Sequence, residues 1–321
     1  MGEEREGLKL SLVVPCYNEE DNIFPFFEAC QKAFKKIESY EIIFVNDGSR
    51  DRTWKQLNVL YERCEGIKLI HLSRNFGKEA AMYAGLQKAT GEYITIIDAD
   101  LQQRPEVVVD MVQFLDENVD YDCVAAYQSE RKEGRFLSFL KKMFYKFINA
   151  VCEIDFKSGA SDFRTFRYNM VQSILDIKEY FRFSKGIFSW VGYNTYYMPY
   201  TAEERNAGKT SWSFIKLMRY AIEGIVAFTV FPLKIGAYIG SFFSFAAMLY
   251  LIVVVVQKIW FGISIPGYPT LVVMILLIGG IQMLLLGIIG QYIAKIYIEG
   301  KKRPIYIVKE YIGEEHVQDL E

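Results

Sequence analysis

Tyr93-Ile94-Thr95-Ile96-Ile97-Asp98-Ala99-Asp100 is an apolar run of strand length that stops at two carboxylates one residue apart. A short, nearly unbroken apolar run suits a strand buried on both faces of a parallel sheet. Alternate residues of an extended segment point the same way, so Asp98 and Asp100 are expected to reach one hard cation together. Acidic oxygens suit Mg²⁺ or Mn²⁺, ions usually shared with the phosphates of a substrate. An isolated Asp-x-Asp pair fits a solvated loop equally well, so the rest of the chain must decide.

Upstream, Val13-Val14-Pro15-Cys16-Tyr17-Asn18-Glu19-Glu20 and Phe44-Val45-Asn46-Asp47-Gly48-Ser49 repeat the arrangement of an apolar run followed by a polar motif. Strands are expected at 10–14, 41–46, 67–72, 93–98 and 123–127, and helices at 21–37, 51–62, 78–88 and 105–115. This alternation belongs to an α/β fold with a parallel sheet and crossover helices. Ligands of open sheets bind beyond the carboxyl ends of the strands, which places 15–19, 47–49 and 98–100 on one rim. Three polar motifs thus converge on one crevice.

The chain of 321 residues is long enough for a full α/β core and more. A net charge of −2 argues against a nucleic-acid binder. Five cysteines without CxxC spacing suggest neither zinc nor a disulfide framework and fit a reducing compartment. Residues 1–9 are charged and read as no cleavable targeting peptide.

Residues 235–256 and 269–294 carry no charge and are each long enough to span a bilayer as a helix. Two spans form a hairpin. Lys216, Arg219, Lys234, Lys295, Lys301, Lys302, Arg303 and Lys309 flank it, whereas its linker holds only Lys258. The positive-inside rule then puts the catalytic body and both termini in the cytoplasm. Residues 135–151 place Phe136, Phe139, Leu140, Met143, Phe144, Phe147 and Ile148 at helical spacing, with Arg135, Lys141, Lys142 and Lys146 opposite. That pattern reads as an amphipathic helix in the lipid interface, although a core-facing helix shares it. The expected division is a catalytic domain over 1–210, a juxtamembrane helix over 211–233, spans within 234–296 and a tail over 297–321.

On the rim, Tyr17 can stack on a base and Glu19 can accept from ribose hydroxyls. Asp47 can accept the imide N–H of uracil or the corresponding donor of guanine, and Gly48 is expected to let backbone approach the ligand. Arg131 and Arg135, heading the interfacial helix, suit a lipid phosphate, or simple snorkelling at the bilayer surface. Arg205 and Lys209 stand ready for phosphates just before the membrane region. Gly208-Lys209-Thr210 resembles the end of a P-loop, but Glu203 occupies the place of the first glycine. His71, at a strand end, reads as a satisfied core residue.

These motifs, together with Arg74-Asn75-Phe76-Gly77-Lys78, Asp98-Ala99-Asp100-Leu101-Gln102, Ser161-Asp162-Phe163-Arg164 and Arg205-Asn206-Ala207-Gly208-Lys209-Thr210-Ser211, resemble the GT-A glycosyltransferases of family 2. Nearly the whole chain is similar to their polyprenyl-phosphate branch, which includes bactoprenol glucosyltransferases and dolichol-phosphate mannose synthase. The resemblance implies a GT-A, Rossmann-like, mostly parallel sheet domain with interfacial helices and a two-helix transmembrane hairpin. It implies inverting transfer of a hexose, glucose from UDP-glucose first, to undecaprenyl phosphate at the cytoplasmic membrane face, for the cell envelope. Pro15, Tyr17, Glu19, Asp47, Lys78, Asp98, Ala99, Asp100 and Gln102 would bind the nucleotide sugar. Asp98 and Asp100 would hold Mg²⁺ or Mn²⁺, and Arg131, Arg135 and Arg164 the lipid phosphate. Asp100, Asp162, Arg205 and Lys209 would carry catalysis, and a homo-oligomer is implied.

The acceptor phosphate has a second pKa of about 6 and is largely ionised at pH 7. It needs positioning and charge neutralisation more than a strong base, so Asp162 is expected to orient the sugar or nearby cations. Alternatives are the same reaction with GlcNAc or with mannose from GDP-mannose, and a non-catalytic membrane scaffold. A processive polysaccharide synthase is disfavoured, because there are two spans and no Arg-Trp dipeptide.

Overall fold

The apolar runs become the centre of one sheet. The computed structural model describes residues 8–128, 160–201, 229–261 and 267–313. Strands β1 (Leu10–Cys16), β2 (Tyr40–Asn46), β3 (Ile67–Leu72) and β4 (Tyr93–Ile96) run parallel, in the order β4-β1-β2-β3. They alternate with helices α1 (Ile23–Ala33), α2 (Thr53–Arg63), α3 (Lys78–Lys88) and α4 (Pro105–Glu117). Leu10, Leu12 and Val14 point into a core with Phe26 and Phe27 of α1 and Met111 of α4. Val13 points the other way, towards Ala81 and Ala84 of α3. This two-faced burial is why β1 and β2 read as continuous apolar runs rather than alternating ones. Each fully buried Leu, Ile or Phe contributes roughly 1.5–3 kcal/mol.

Three strands were not anticipated. β5 (Cys123–Gln128) was, but it pairs with β6 (Ala160–Arg167), which runs antiparallel to both β5 and β4. β7 (Thr195–Tyr200) lies parallel to β5 at one edge. Helices α5 (Tyr168–Asp176) and α6 (Ser184–Trp190) follow β6, and both pack against the α3 face. At the other edge, β8 (Val308–Ile312) pairs antiparallel with β3. The expectation of a catalytic domain ending at 210 and a tail over 297–321 is therefore corrected: 308–312 return to the sheet. The full order is β7-β5-β6-β4-β1-β2-β3-β8.

Between body and edge strand lie α7 (Phe231–Phe261) and α8 (Tyr268–Gly300), each running past the expected span at both ends. Both contain stretches long and apolar enough to cross a membrane, over Phe231–Tyr250 and Leu277–Gly300, with none of either stretch buried inside the protein. Phe242, Met283 and Leu284 are more than 60% exposed, the kind of exposed apolar side chains that mark a membrane or protein interaction surface. The end of α8 touches the body, where the Tyr180 amide donates to Glu299 Oε2 at 3.1 Å and the Lys295 ammonium lies 5.8 Å from the Phe181 ring centre. Beyond it, the Ser73 amide donates to the Ile307 carbonyl, and Tyr306 bonds Gln87. The proposed interfacial helix over 135–151 and most of the juxtamembrane segment over 211–233 lie outside the described residues.

Candidate active site

Small residues seat α3 close to the sheet. A Cβ on Gly85 would lie 2.3 Å from Val13 Cγ1, so the helix axis sits low over β1 and β2. Its first residue, Lys78, is thereby delivered to the carboxyl rim. There the Lys78 ammonium meets Asp98 at 2.6 Å and Asp162 at 3.4 Å. The β4–β6 register explains the convergence. Ile96 faces Arg164 at the end of the pairing, and Asp98, just past the end of β4, and Asp162 on β6 both reach the Lys78 ammonium. Like charges repel, and the lysine shared by the two carboxylates offsets the repulsion.

Desolvation would lower the Lys78 pKa, but Asp98 and Asp162 outweigh it and hold the ammonium above the usual lysine range. Burial would raise the Asp162 carboxyl, yet Lys78, Lys185 and Arg164 together hold it below the usual carboxylate range. Asp162 Oδ1 is buried with no hydrogen-bond partner. Behind Lys78, Glu79 accepts from the Ser184 amide at 3.0 Å and from the Ser184 hydroxyl. Burial, then the nearby Asp162 charge, push the Glu79 carboxyl up to about 7.

Asp98 and Asp100 share the rim, though not by strand periodicity. β4 ends at Ile96, and a turn at 99–100 leads into Leu101 at φ 59°. Ala99 is 2% exposed and packs in the core, so only its backbone faces a ligand. Asp100 Oδ1 accepts from the Gln102 amide at 3.1 Å. The residue that aims Asp98 is one the motif reading passed over. Gln103 accepts from the Asp98 amide at 3.0 Å and donates to Asp98 Oδ2 at 3.3 Å. Gln102 and Gln103 look alike in sequence, and the turn decides which one points inward.

The nucleotide side of the rim is built differently, from hydrogen bonds between loops. Asn18, at φ 57°, accepts from the Arg50 amide on its side-chain oxygen and donates its own backbone amide to Ser49 Oγ. The Glu19 amide donates to Thr53 Oγ1, and the Glu19 carboxylate accepts from Asn22 at 2.6 Å. Tyr17 stands 41% exposed above them, open to a stacking partner, while Pro15 ends the strand as part of β1. Asp47 is 3% exposed and accepts from the Phe76 and Gly77 amides at 2.7 and 2.9 Å. Burial raises its pKa against the pull of those amides. The glycine after it serves the protein before any ligand: at φ +61° a Cβ on Gly48 would lie 2.4 Å from the Arg74 carbonyl carbon. His71 bonds Asn46 at 2.8 Å and stacks on Trp54, so it is satisfied as expected, but at the edge of the core rather than inside it.

Arg164 requires a correction. It is 2% exposed on β6, donates to the Ser161 carbonyl and lies over the Phe188 ring. That placement keeps it from a lipid headgroup and makes it a buried counter-charge to Asp162. Arg131, Arg135, Arg205 and Lys209 fall outside the described residues.

An acid–lysine cluster on the carboxyl rim of a mostly parallel sheet stands where open α/β sheets bind their ligands. Comparison with known proteins narrows this. Residues 11–175 match glycosyl transferase family 2, and residues 231–296 match the GtrB C-terminal hairpin. The chain belongs to glycosyl transferase family 2. It is 41% identical over 305 residues to the prophage bactoprenol glucosyl transferase homolog of Escherichia coli K12, covering 94% of this chain and 99% of that one. It is 38% identical to the bactoprenol glucosyl transferase of Shigella phage SfV, covering 94% and 98%. Among solved structures, mannosyltransferase PcManGT from Pyrobaculum calidifontis, in complex with GDP-Man and Mn²⁺, is 18% identical at a TM-score of 0.49, covering 68% and 63%.

Proposed function

We propose that this glycosyltransferase moves glucose from UDP-glucose to a polyprenyl phosphate, with inversion at the anomeric carbon, at the cytoplasmic face of a membrane. The observation that carries the reading is the charged cluster of Lys78, Asp98 and Asp162 on the sheet's rim, in a chain that also holds two membrane-length helices. The similarity to bactoprenol glucosyl transferases over nearly the full chain supports the choice of glucose and of a polyprenyl acceptor.

The donor set fits a hard divalent cation. Asp98 already pairs with a cation, the Lys78 ammonium, all donors are carboxylate oxygens, and Asp162 Oδ1 is buried without a partner. Among the described residues no three acidic, histidine or cysteine side chains form a ready cage. This suits Mg²⁺ or Mn²⁺ held by one or two carboxylates, with substrate phosphates completing the shell. Asp98 and Asp100 would hold the ion, which when bound neutralises charge on the departing diphosphate.

The chain's own groups do the rest. Tyr17 stacks on the base, Glu19 accepts from the ribose, and the Asp47 loop shapes the base pocket. Asp162 and Lys78 set the charge beside the sugar–phosphate bond. A phosphate oxygen of the ionised acceptor attacks C1 as the bond from C1 to the diphosphate oxygen breaks, and the electron pair leaves with UDP. A dianionic acceptor becomes a monoanionic diester and UDP gains one charge, so no proton need move. That balance supports Asp162 as a positioning residue rather than a base. Arg131, Arg135, Arg205 and Lys209 are proposed to neutralise the two phosphate groups, in a chain acting as a homo-oligomer.

The test incubates the full-length chain in detergent with a short polyprenyl phosphate, Mn²⁺ and a panel of nucleotide sugars. Lipid-linked glucose with one UDP released per transfer is expected. A product only from GDP-mannose or UDP-GlcNAc would reassign the donor, and no lipid-linked sugar from any donor would overturn the reading.

A further inference from the structure

The closeness of Lys78 to Asp98 raises a question about order of binding. Its ammonium lies 2.6 Å from one carboxylate oxygen and 2.9 Å from the other, where a divalent ion would sit. We propose that Lys78 is a built-in stand-in for the metal, which guards the Asp98 site and yields it only when the cation and a diphosphate arrive together. The inference rests on the assignment of Asp98 as a metal ligand made above.

Three observations carry it. Asp98 and Asp162 both lie within reach of the Lys78 ammonium, which offsets the repulsion between the two carboxylates. An incoming divalent ion repels the ammonium, so metal alone must work against an ion pair already made. The Lys78 side chain keeps 42% exposure, and its four-carbon stem can swing where a rigid group could not. Asp162 is at hand to retain the displaced ammonium. It already lies 3.4 Å away and has a second oxygen without a partner. A diphosphate bound to the ion offers the lysine new negative charge. Metal and nucleotide then bind with reciprocal coupling, because each removes the obstacle to the other.

The test measures Mn²⁺ binding to the full chain in lipid nanodiscs by loss of the free-ion electron paramagnetic resonance signal, with and without UDP. Lys78→Gln is expected to bind Mn²⁺ alone about tenfold tighter than wild type, a usual size for coupling between sites. The tightening that UDP brings should shrink by a similar factor. Mn²⁺ binding to Lys78→Gln no tighter than to wild type would overturn the inference. Because Lys78→Gln leaves two acids without their shared lysine, Lys78→Gln/Asp162→Asn is compared with Asp162→Asn in parallel, and equal affinities there would overturn it too. Asp98→Asn separates the two claims. Mn²⁺ binding that survives this change sinks the metal assignment itself, whereas binding lost here but unchanged in Lys78→Gln sinks only the stand-in.

Discussion

Two acid–lysine pairs stand at opposite ends of the same sheet, and they are finished differently. At the amino end of β2, Glu41 is 5% exposed. It accepts from Ser11 Oγ at 2.6 Å and from the amide and hydroxyl of Thr90 at 3.2 Å, and it meets the Lys68 ammonium at 2.6 Å. At the carboxyl rim, Asp162 has Lys78 at 3.4 Å, and its other oxygen is buried and unpartnered. A satisfied buried network rigidifies a fold, whereas a half-satisfied one is an energetic liability. The liability persists where the missing partner is a ligand. The Glu41 pair is therefore assigned to folding and, on the proposed function, the Asp162 pair to chemistry.

Asp100→Ala breaks the upper end most severely. Turnover should fall by about 10²–10³, the scale for removing one electrostatic stabiliser of a leaving group, with membrane insertion and melting temperature unchanged. Wild-type turnover, or turnover in a metal-free assay, would remove Asp100 from the metal site. Glu41→Ala is the mirror experiment. It strands the Lys68 ammonium, which is 15% exposed, and should destabilise the body by about 3 kcal/mol. The molecules that remain folded should keep wild-type Mn²⁺ affinity. If Glu41→Ala weakened Mn²⁺ binding while leaving stability alone, the division between the two ends would be wrong.

Gln103→Ala sharpens the contrast inside the rim. Asp98 would lose the group that fixes its backbone and one carboxylate oxygen, while keeping its charge. Supporting residues of this kind are worth about 10–100-fold in metal affinity. Gln102→Ala should do less, because only the Gln102 amide is engaged with Asp100. Equal losses in the two variants would mean that the turn does not aim Asp98.

The same contrast explains what the sequence discloses. β1 to β4 are legible because each is an apolar run closed by a polar motif, and the open-sheet rule then brings 15–19, 47–49 and 98–100 together. β6 is illegible because Ala160-Ser161-Asp162-Phe163-Arg164-Thr165-Phe166-Arg167 is mostly polar. Its Arg164 and Thr165 are nonetheless fully inside, stabilised by Ser161, Phe188 and Thr95 rather than by any local preference. β7 carries Pro199 and β8 lies beyond the hairpin, so neither has a local pattern that points to this sheet. Asp162 is recognisable as a motif, but its approach to the lysine that Asp98 also meets follows from the antiparallel β4–β6 pairing, which spacing along the chain does not encode. Glu79 has no motif signal at all. Its role depends on Ser184, more than a hundred residues away.

That distant contact gives the smallest effect and the finest probe of the rim. Glu79 titrates near 7 when folded against an ordinary value of 4.5, so between those values the folded chain binds more protons than the unfolded one. Stability from this group therefore falls as pH rises through that window and levels off above it. After allowance for solvent screening the loss is on the order of 1 kcal/mol. Glu79→Gln is uncharged throughout and should flatten the decline. Between pH 5 and pH 8, wild type should lose about 2–4 °C more in melting temperature than the variant does. Parallel profiles would mean that Glu79 titrates in the folded chain as it does in the unfolded one, and that neither burial nor the Asp162 charge acts on it.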